Sequence, residues 1–223
     1  MATLYHYWLS PGSRFIRLQL AERNIAFDLA LENPWERRPA FLKLSPSGWP
    51  PVFAAGGGVP AMSDARAIAE YVEETQGDGG LLGENPLHRA EVRRLLGWFD
   101  TRFAGEVSDL LVYERIYRSE MKAGTPDPAT IRVARQNMRF HLDHVSQLAE
   151  QRRWLAGDAM SLADLMAAAH LSVVDYLGEV PWDAFPEVRH WYSRLKSRPA
   201  FRPLLADRVS GFPPPDHYDD LDF

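Results

Sequence analysis

Across residues 3–9 the side chains are apolar and aromatic (Thr3-Leu4-Tyr5-His6-Tyr7-Trp8-Leu9), a β-prone run that Ser10-Pro11-Gly12-Ser13 then interrupts. This pattern predicts a strand entering a turn. From Arg14 the spacing becomes helical: Phe15, Ile16, Leu18, Leu20 and Ala21 suit a buried helix ending near Asn24, and residues 26–31 read as a second strand. Pro51-Val52-Phe53-Ala54 and Val59-Pro60-Ala61-Met62 flank Gly56-Gly57-Gly58, the signature of a hairpin whose glycines admit positive φ. A helix over 64–74 closes the unit. The order βαβ-ββα predicts a small mixed sheet covered by helices, over residues 1–76.

Turn-forming residues fill 77–85, from Gly77-Asp78-Gly79-Gly80 to Asn85-Pro86, and define a linker. Beyond it only helical periodicity remains, over 86–206. Val92, Leu95, Leu96, Phe99 and Phe103 recur at three-to-four spacing, as do Ile131, Ala134, Met138, Leu142, Val145 and Leu148. These predict two long antiparallel helices joined at Gly124-Thr125-Pro126-Asp127-Pro128, with Asp127 capping the second. The fold class is therefore α/β plus all-α. Residues 207–223 stand apart: Pro213-Pro214-Pro215 favours an extended polyproline segment, and an acidic end follows with Tyr218, Leu221 and Phe223 between its charges. That segment reads as a tail appended to the fold, free either to meet a partner or to dock on the chain's own helices.

Composition narrows the chemistry. With 25 Lys and Arg against 30 Asp and Glu, the chain offers no field for nucleic acid. The absence of cysteine removes disulfides, zinc-thiolate sites and a cysteine nucleophile together. No apolar run approaches the ~20 residues of a membrane helix, and the first residues lack a basic targeting region, so a cytoplasmic protein without membrane insertion is expected. His141 and His144 share a helix face but lack further ligands, so no metal is expected and they read as surface or interface histidines. Arg132, Arg135 and Arg139 read as a solvated basic stripe.

Ser161 and Asp164, within Trp154-Leu155-Ala156-Gly157-Asp158-Ala159-Met160-Ser161-Leu162-Ala163-Asp164, form a Ser-x-x-Asp capping box before an apolar helix. The segment resembles the buried capping motif of glutathione S-transferases. Four further segments occur in that family's order: Ser10 to Arg14, Leu44 to Val52, Ser63 to Tyr71 and Trp191 to Phe201. The resemblance covers roughly residues 3–205 and implies a thioredoxin-like domain followed by an all-helical one, usually paired as a homodimer.

It also implies where glutathione would sit, and there this chain departs from the pattern. The residue before a cis-proline should offer both N–H and C=O to the cysteinyl part of the tripeptide; here that residue is Pro50, which has no N–H, with Pro51 in the cis-proline place. The Glu-Ser pair expected to hold the γ-glutamyl group is replaced by Asp64-Ala65, and Ala65 has no hydroxyl to donate. Asp64, or Ser63, would cap the next helix whether or not a ligand binds. Ser10 corresponds to the serine that activates the thiol, and Ser13 is its neighbour. Tyr5 and Tyr7 carry less weight, since aromatic residues on a first strand are usually core or sheet face.

Within the family the likeness is to the FtsZ-localised, glutathione-transferase-like division factors of alphaproteobacteria. It rests on Asn33-Pro34-Trp35-Glu36-Arg37-Arg38-Pro39, on the altered glutathione contacts, and on the end Asp219-Asp220-Leu221-Asp222-Phe223. The resemblance implies an adaptor that binds the tubulin-like protein FtsZ and shapes its filaments, with Trp35, Arg37, Arg38, Asp219, Asp220, Asp222 and Phe223 as partner-binding residues. Trp35 has two fates: core packing on the first-domain helices, or an exposed interface anchor beside the arginines. On this reading no cofactor is required and no catalytic residue is expected, Ser10 and Ser13 being vestigial. The alternative is a glutathione-dependent transferase or isomerase in which Ser10 activates the thiol.

Overall fold

A computed structural model describes residues 1–75 and 80–221. Strands β1 (Ala2–His6), β2 (Phe27–Leu31), β3 (Val52–Ala54) and β4 (Met62–Ser63) form one sheet in the order β2-β1-β3-β4. β1 runs parallel to β2, pairing Leu4 with Leu29, and antiparallel to β3, pairing Leu4 with Phe53. The parallel pair requires a crossover, supplied by α1 (Pro11–Glu22). That helix begins earlier than its hydrophobic spacing suggests. Ser10 caps it, its Oγ accepting the Ser13 N–H at 3.2 Å, and Pro11 occupies the first turn, where a missing N–H leaves no helical bond unmade. The segment read as a turn is therefore the helix start. After α1 the chain reverses at Asn24, in the left-handed region at φ 55°.

A short α2 (Pro39–Leu42) precedes the cis Pro50-Pro51 bond, and α3 (Ala65–Thr75) follows the hairpin. Gly12 lets these pieces meet: a Cβ there would stand 3.2 Å from Pro51 Cδ and 3.3 Å from Ala65 Cβ. The linker read over 77–85 is not purely a connector. Residues 77–79 lie outside the described residues, but a 3-10 turn at Gly80–Leu82 buries Leu81 and Leu82.

The second domain opens with α4 (Pro86–Gly97), continued by π-helical turns over Trp98–Ser108, then α5 (Asp109–Val112), further π turns over Tyr113–Tyr117, and α6 (Arg118–Glu120). Asp127 caps α7 (Pro128–Gln151), accepting the N–H groups of Ala129 at 3.0 Å and Thr130 at 3.3 Å. Every residue of α8 (Leu162–Tyr176) is buried. Its Asp164 carboxylate accepts from the N–H of Leu155 (2.9 Å), the N–H of Ser161 (3.0 Å) and Trp191 Nε1 (3.0 Å) on α9 (Pro186–Lys196), tying a loop and two helices to one point. Burial pushes this carboxyl's pKa up, and the bonds it accepts oppose that shift.

Past α10 (Arg202–Leu205) the segment read as a tail docks on the chain's own helices, one of the two readings open to it. Arg14 of α1 is wholly buried, donating to Asp207 Oδ2 (3.3 Å), Ser172 Oγ (3.0 Å) and the Tyr218 hydroxyl (3.0 Å). Arg17 grips Asp207 through both its carboxylate oxygens, at 2.7 and 2.9 Å. Tyr218 itself is 0% exposed and donates to the Leu204 carbonyl at 3.1 Å. The residues after the prolines thus complete the interface between α1 and the helical domain.

Two other readings are corrected. His141 is buried, not superficial, with Nε2 3.0 Å from Glu106 Oε2. Arg135 leaves the solvated stripe to bind the buried Glu179 carboxylate at 2.5 Å, where Arg115 also reaches it at 2.6 Å.

Candidate functional site

Where the N-termini of α1 and α3 face the long helix of the second domain, a cleft of about 720 Å³ opens. One wall carries Ser10, Pro50, Pro51, Asp64 and Ala65; the other carries Asp100, Ala104, Asp109, Tyr113 and Tyr117. The second set is spaced by four or five residues, and the i→i+5 register of the π turns keeps such positions on one face. Five of the six residues expected at a glutathione site are therefore brought together. Ser13 is the exception: it is buried behind the cleft, its Oγ accepting the Tyr7 N–H at 3.3 Å.

Each remaining group has a defined state. Ser10 Oγ is engaged as an acceptor by the α1 cap, while its own hydrogen has no acceptor among the described residues. Asp64 lies in the left-handed region at φ 77°, where the chain turns sharply from β4 into α3. Its Oδ1 accepts the N–H groups of Arg66 (2.9 Å) and Ala67 (3.1 Å), so it caps α3. Tyr7 is committed elsewhere, donating to Glu120 Oε2 at 2.5 Å; burial and this carboxylate push its pKa well up, so the phenol keeps its proton.

Trp35 lies nearer the core fate than the exposed one, packed against the core's edge. Half-buried, it packs on Tyr7 (5.2 Å between ring centroids) and on Tyr117 (5.4 Å), whose ring is also 6.0 Å from Trp49. It therefore joins an aromatic cluster beside the cleft and spans both domains. Arg37 is exposed at φ 47°, and Arg38 is ion-paired with Glu32. Asp219 pairs with Arg208 at 2.5 Å, and Asp220 is exposed. Asp222 and Phe223 lie outside the described residues.

Sequence reasoning missed the acidic and aromatic wall. Asp64, Asp100 and Asp109 line the cleft, and none of the lining residues is Lys or Arg. Arg66 reaches Asp100 from outside, at 3.1 Å. Burial raises the pKa of Asp100, with Arg66 opposing; burial and then Asp100 raise that of Asp109. His170 of α8 also lines the cleft, its Nδ1 2.8 Å from Ser108 Oγ and its Nε2 unpartnered among the described residues. Burial lowers its pKa to about 3, and burial with Arg17 lowers that of His6 to about 4.

Those two histidines make a stability prediction. Both have folded-state pKa values below the unfolded 6.5, so their contribution is fully present above pH 6.5 and lost as pH falls towards 3–4. Between pH 7 and 5 each should remove roughly 2 kcal/mol of unfolding free energy, an order-of-magnitude value from proton linkage. Asp164 and Asp175, raised by burial, oppose the loss only nearer the carboxylate range. Urea unfolding at the two pH values should show the drop, and His6→Gln with His170→Gln should flatten it. Equal stability at both pH values would refute the neutral burial of these rings.

The sheet order, the cis-proline at the cleft and the capped, buried α8 define a glutathione-transferase architecture. Family models of the glutathione S-transferase N-terminal and C-terminal domains match residues 4–81 and 131–199. The chain belongs to the glutathione S-transferase family. It is 48% identical over 223 residues to FtsZ-localized protein A of Caulobacter vibrioides, covering 99% of this chain and 98% of that one. Among solved structures it resembles FzlA from C. crescentus (TM-score 0.96, 47% identity, covering 100% of this chain and 99% of that one). A glutathione S-transferase from Sinorhizobium meliloti 1021 is as similar (TM-score 0.96, 48% identity, both chains covered in full). No helix among the described residues is long and apolar enough to cross a membrane.

Proposed function

We propose that this chain is an adaptor for the division protein FtsZ, built on a glutathione S-transferase fold whose glutathione site has decayed. The observation that carries this reading is the end-to-end likeness, at 48% identity, to FtsZ-localized protein A. The cleft supports it independently: Pro50 lacks the anchoring N–H, Ala65 lacks the hydroxyl, and the walls present three aspartates to a ligand that is itself an anion. The adaptor acts in the cytoplasm as a homodimer, so that two copies of one surface bridge neighbouring filament subunits and set their curvature. Trp35, Arg37 and Arg38 form one contact region, and Asp219 and Asp220 with the end of the chain form another.

Co-sedimentation with GTP-polymerised FtsZ tests the reading, alongside retention on immobilised glutathione. The adaptor should pellet with filaments, alter their curvature in electron micrographs and pass through the glutathione matrix. Asp219 ion-pairs with the exposed Arg208 and, with Asp220, favours the charge of Lys196, so Asp219→Lys with Asp220→Lys should weaken filament binding at a stability cost of about 1 kcal/mol. Unchanged pelleting by this variant at low salt would remove the acidic end from the contact. Monomer alone in sedimentation at micromolar concentration would remove the bridging mechanism.

A second reading, a glutathione-dependent transferase or isomerase, is favoured by one observation: Ser10 lines the cleft with a hydroxyl hydrogen free to donate to a thiolate. Retention on glutathione without filament binding would support it instead.

A further inference from the structure

The charges around the cleft are unevenly matched. Arg66 is spent on Asp100 at 3.1 Å, and Arg118 on Glu114 at 3.0 and 3.1 Å. Asp64 is spent on the α3 cap. The Asp109 carboxylate makes no hydrogen bond or ion pair among the described residues, and it lines the cleft between Ala104 and Tyr113. The same cleft is lined by Trp49, Tyr113 and Tyr117, rings whose faces attract cations. Tyr113 already demonstrates this, with the Arg118 guanidinium 5.7 Å from its centroid.

A second observation points to an occupant. His170 is 2% exposed, lines the same cleft and leaves Nε2 without a partner among the described residues. A buried polar atom left unmet is destabilising unless something satisfies it. In the tautomer that gives the Nδ1 hydrogen to Ser108 Oγ, Nε2 keeps an unused lone pair in a ring that lines the cleft, an acceptor suited to an N–H donor. A free carboxylate, aromatic faces and an uncharged acceptor together form a receptor for a positively charged donor and a poor one for an anion.

We infer that the interdomain cleft binds an organic cation, the guanidinium or ammonium group of a basic side chain carried by the protein partner. Asp109 supplies the counter-charge, Trp49, Tyr113 and Tyr117 the aromatic enclosure, and His170 an acceptor within. The cation chemistry stands on the cleft alone; that the filament protein FtsZ carries the side chain rests on the adaptor reading.

Two arms test these parts separately. In the first, N-acetyl-arginine amide is titrated into the full chain and followed by NMR chemical shifts, with N-acetyl-glutamate amide and glutathione as anionic comparisons. The arginine probe should bind, salt should weaken it, and Asp109→Asn, which keeps the shape and removes the charge, should weaken it at least tenfold. No binding to the wild type, equal binding by Asp109→Asn, or tighter binding of either anion overturns the cation site. In the second arm, wild type and Asp109→Asn of equal melting temperature are co-sedimented with FtsZ filaments; the variant should lose at least fivefold. Equal pelleting of the two, with the arginine result intact, overturns the partner-borne source and leaves a small-molecule cation receptor. Failure of the wild type itself to pellet refutes the adaptor reading, while the first arm still decides the chemistry of the cleft.

Discussion

Truncation after Pro215 is expected to destabilise the whole chain, not merely trim an appendage. It removes Tyr218, a fully buried ring packed on Tyr176 at 5.2 Å between centroids, and deletion of a buried aromatic side chain costs about 3–5 kcal/mol. It also takes from Arg14 one of the acceptors of its buried guanidinium, adding about 1–3 kcal/mol if nothing replaces the lost bond. The terms share partners and will not add fully, so a loss of at least about 4 kcal/mol is expected from urea unfolding. Tyr218→Phe keeps the packing and isolates the hydroxyl, for which about 1–3 kcal/mol is expected. An unaltered urea midpoint in the truncated chain, at unaltered slope, would refute the anchoring role of the segment.

This anchor also changes what the acidic end can do. Because Tyr218 is fixed in the interface between α1 and the helical domain, Asp219 and Asp220 are presented from a set place on the surface and do not sample a wide volume. Docking and partner contact, which the sequence allows to hold together, become on the adaptor reading two parts of one arrangement. The anchored tyrosine positions the charges, and on the adaptor reading proposed above the charges are what the partner meets.

Features of the fold that depend on neighbours in sequence were legible in it. The Ser161–Asp164 box and the Asp127 cap are local chemistry, readable from residue types a few positions apart, whereas the cis-proline at Pro51 was legible only through the family resemblance. Ser10 and Pro11 misled because the same residues that break a strand also begin a helix. What could not be read depends on distant partners. Arg14 and Tyr218 are 204 positions apart, and neither residue type announces burial; an arginine is almost never fully buried unless paired. The acidic wall escaped for a different reason. Asp100, Ala104, Asp109, Tyr113 and Tyr117 share a face only because π turns interrupt the α-helix, so a 3.6-residue period disperses them. The one available signal was their four-and-five spacing along an otherwise apolar helix.

Glutathione affinity is expected to be millimolar or weaker, and the structure adds a cause to those read from sequence. The missing N–H at Pro50 and the missing hydroxyl at Ala65 each forfeit a bond to the ligand, about 1–3 kcal/mol apiece. Each 1.4 kcal/mol is about a decade of affinity, so the pair alone takes a micromolar site to millimolar or weaker if the losses add. The cleft then imposes a third penalty. The Asp109 carboxylate, open to solvent, has no ion pair among the described residues, and its pKa is raised by its surroundings in the cleft and by Asp100, so an anionic tripeptide must enter against its charge or protonate it. Calorimetry on the native chain should therefore show no micromolar site, and a micromolar dissociation constant would refute all three causes together. Pro50→Val with Ala65→Ser should restore part of the affinity by returning the N–H and the hydroxyl at positions that already line the cleft. Adding Asp109→Asn should strengthen binding further, most at low salt, where the repulsion it removes is least screened. If the double variant gains nothing while the triple variant binds, charge and not hydrogen bonding is what closed this cleft to glutathione. If the double variant recovers micromolar binding unaided, the aspartate wall is irrelevant to the anion, and the decay of the site reduces to two lost hydrogen bonds.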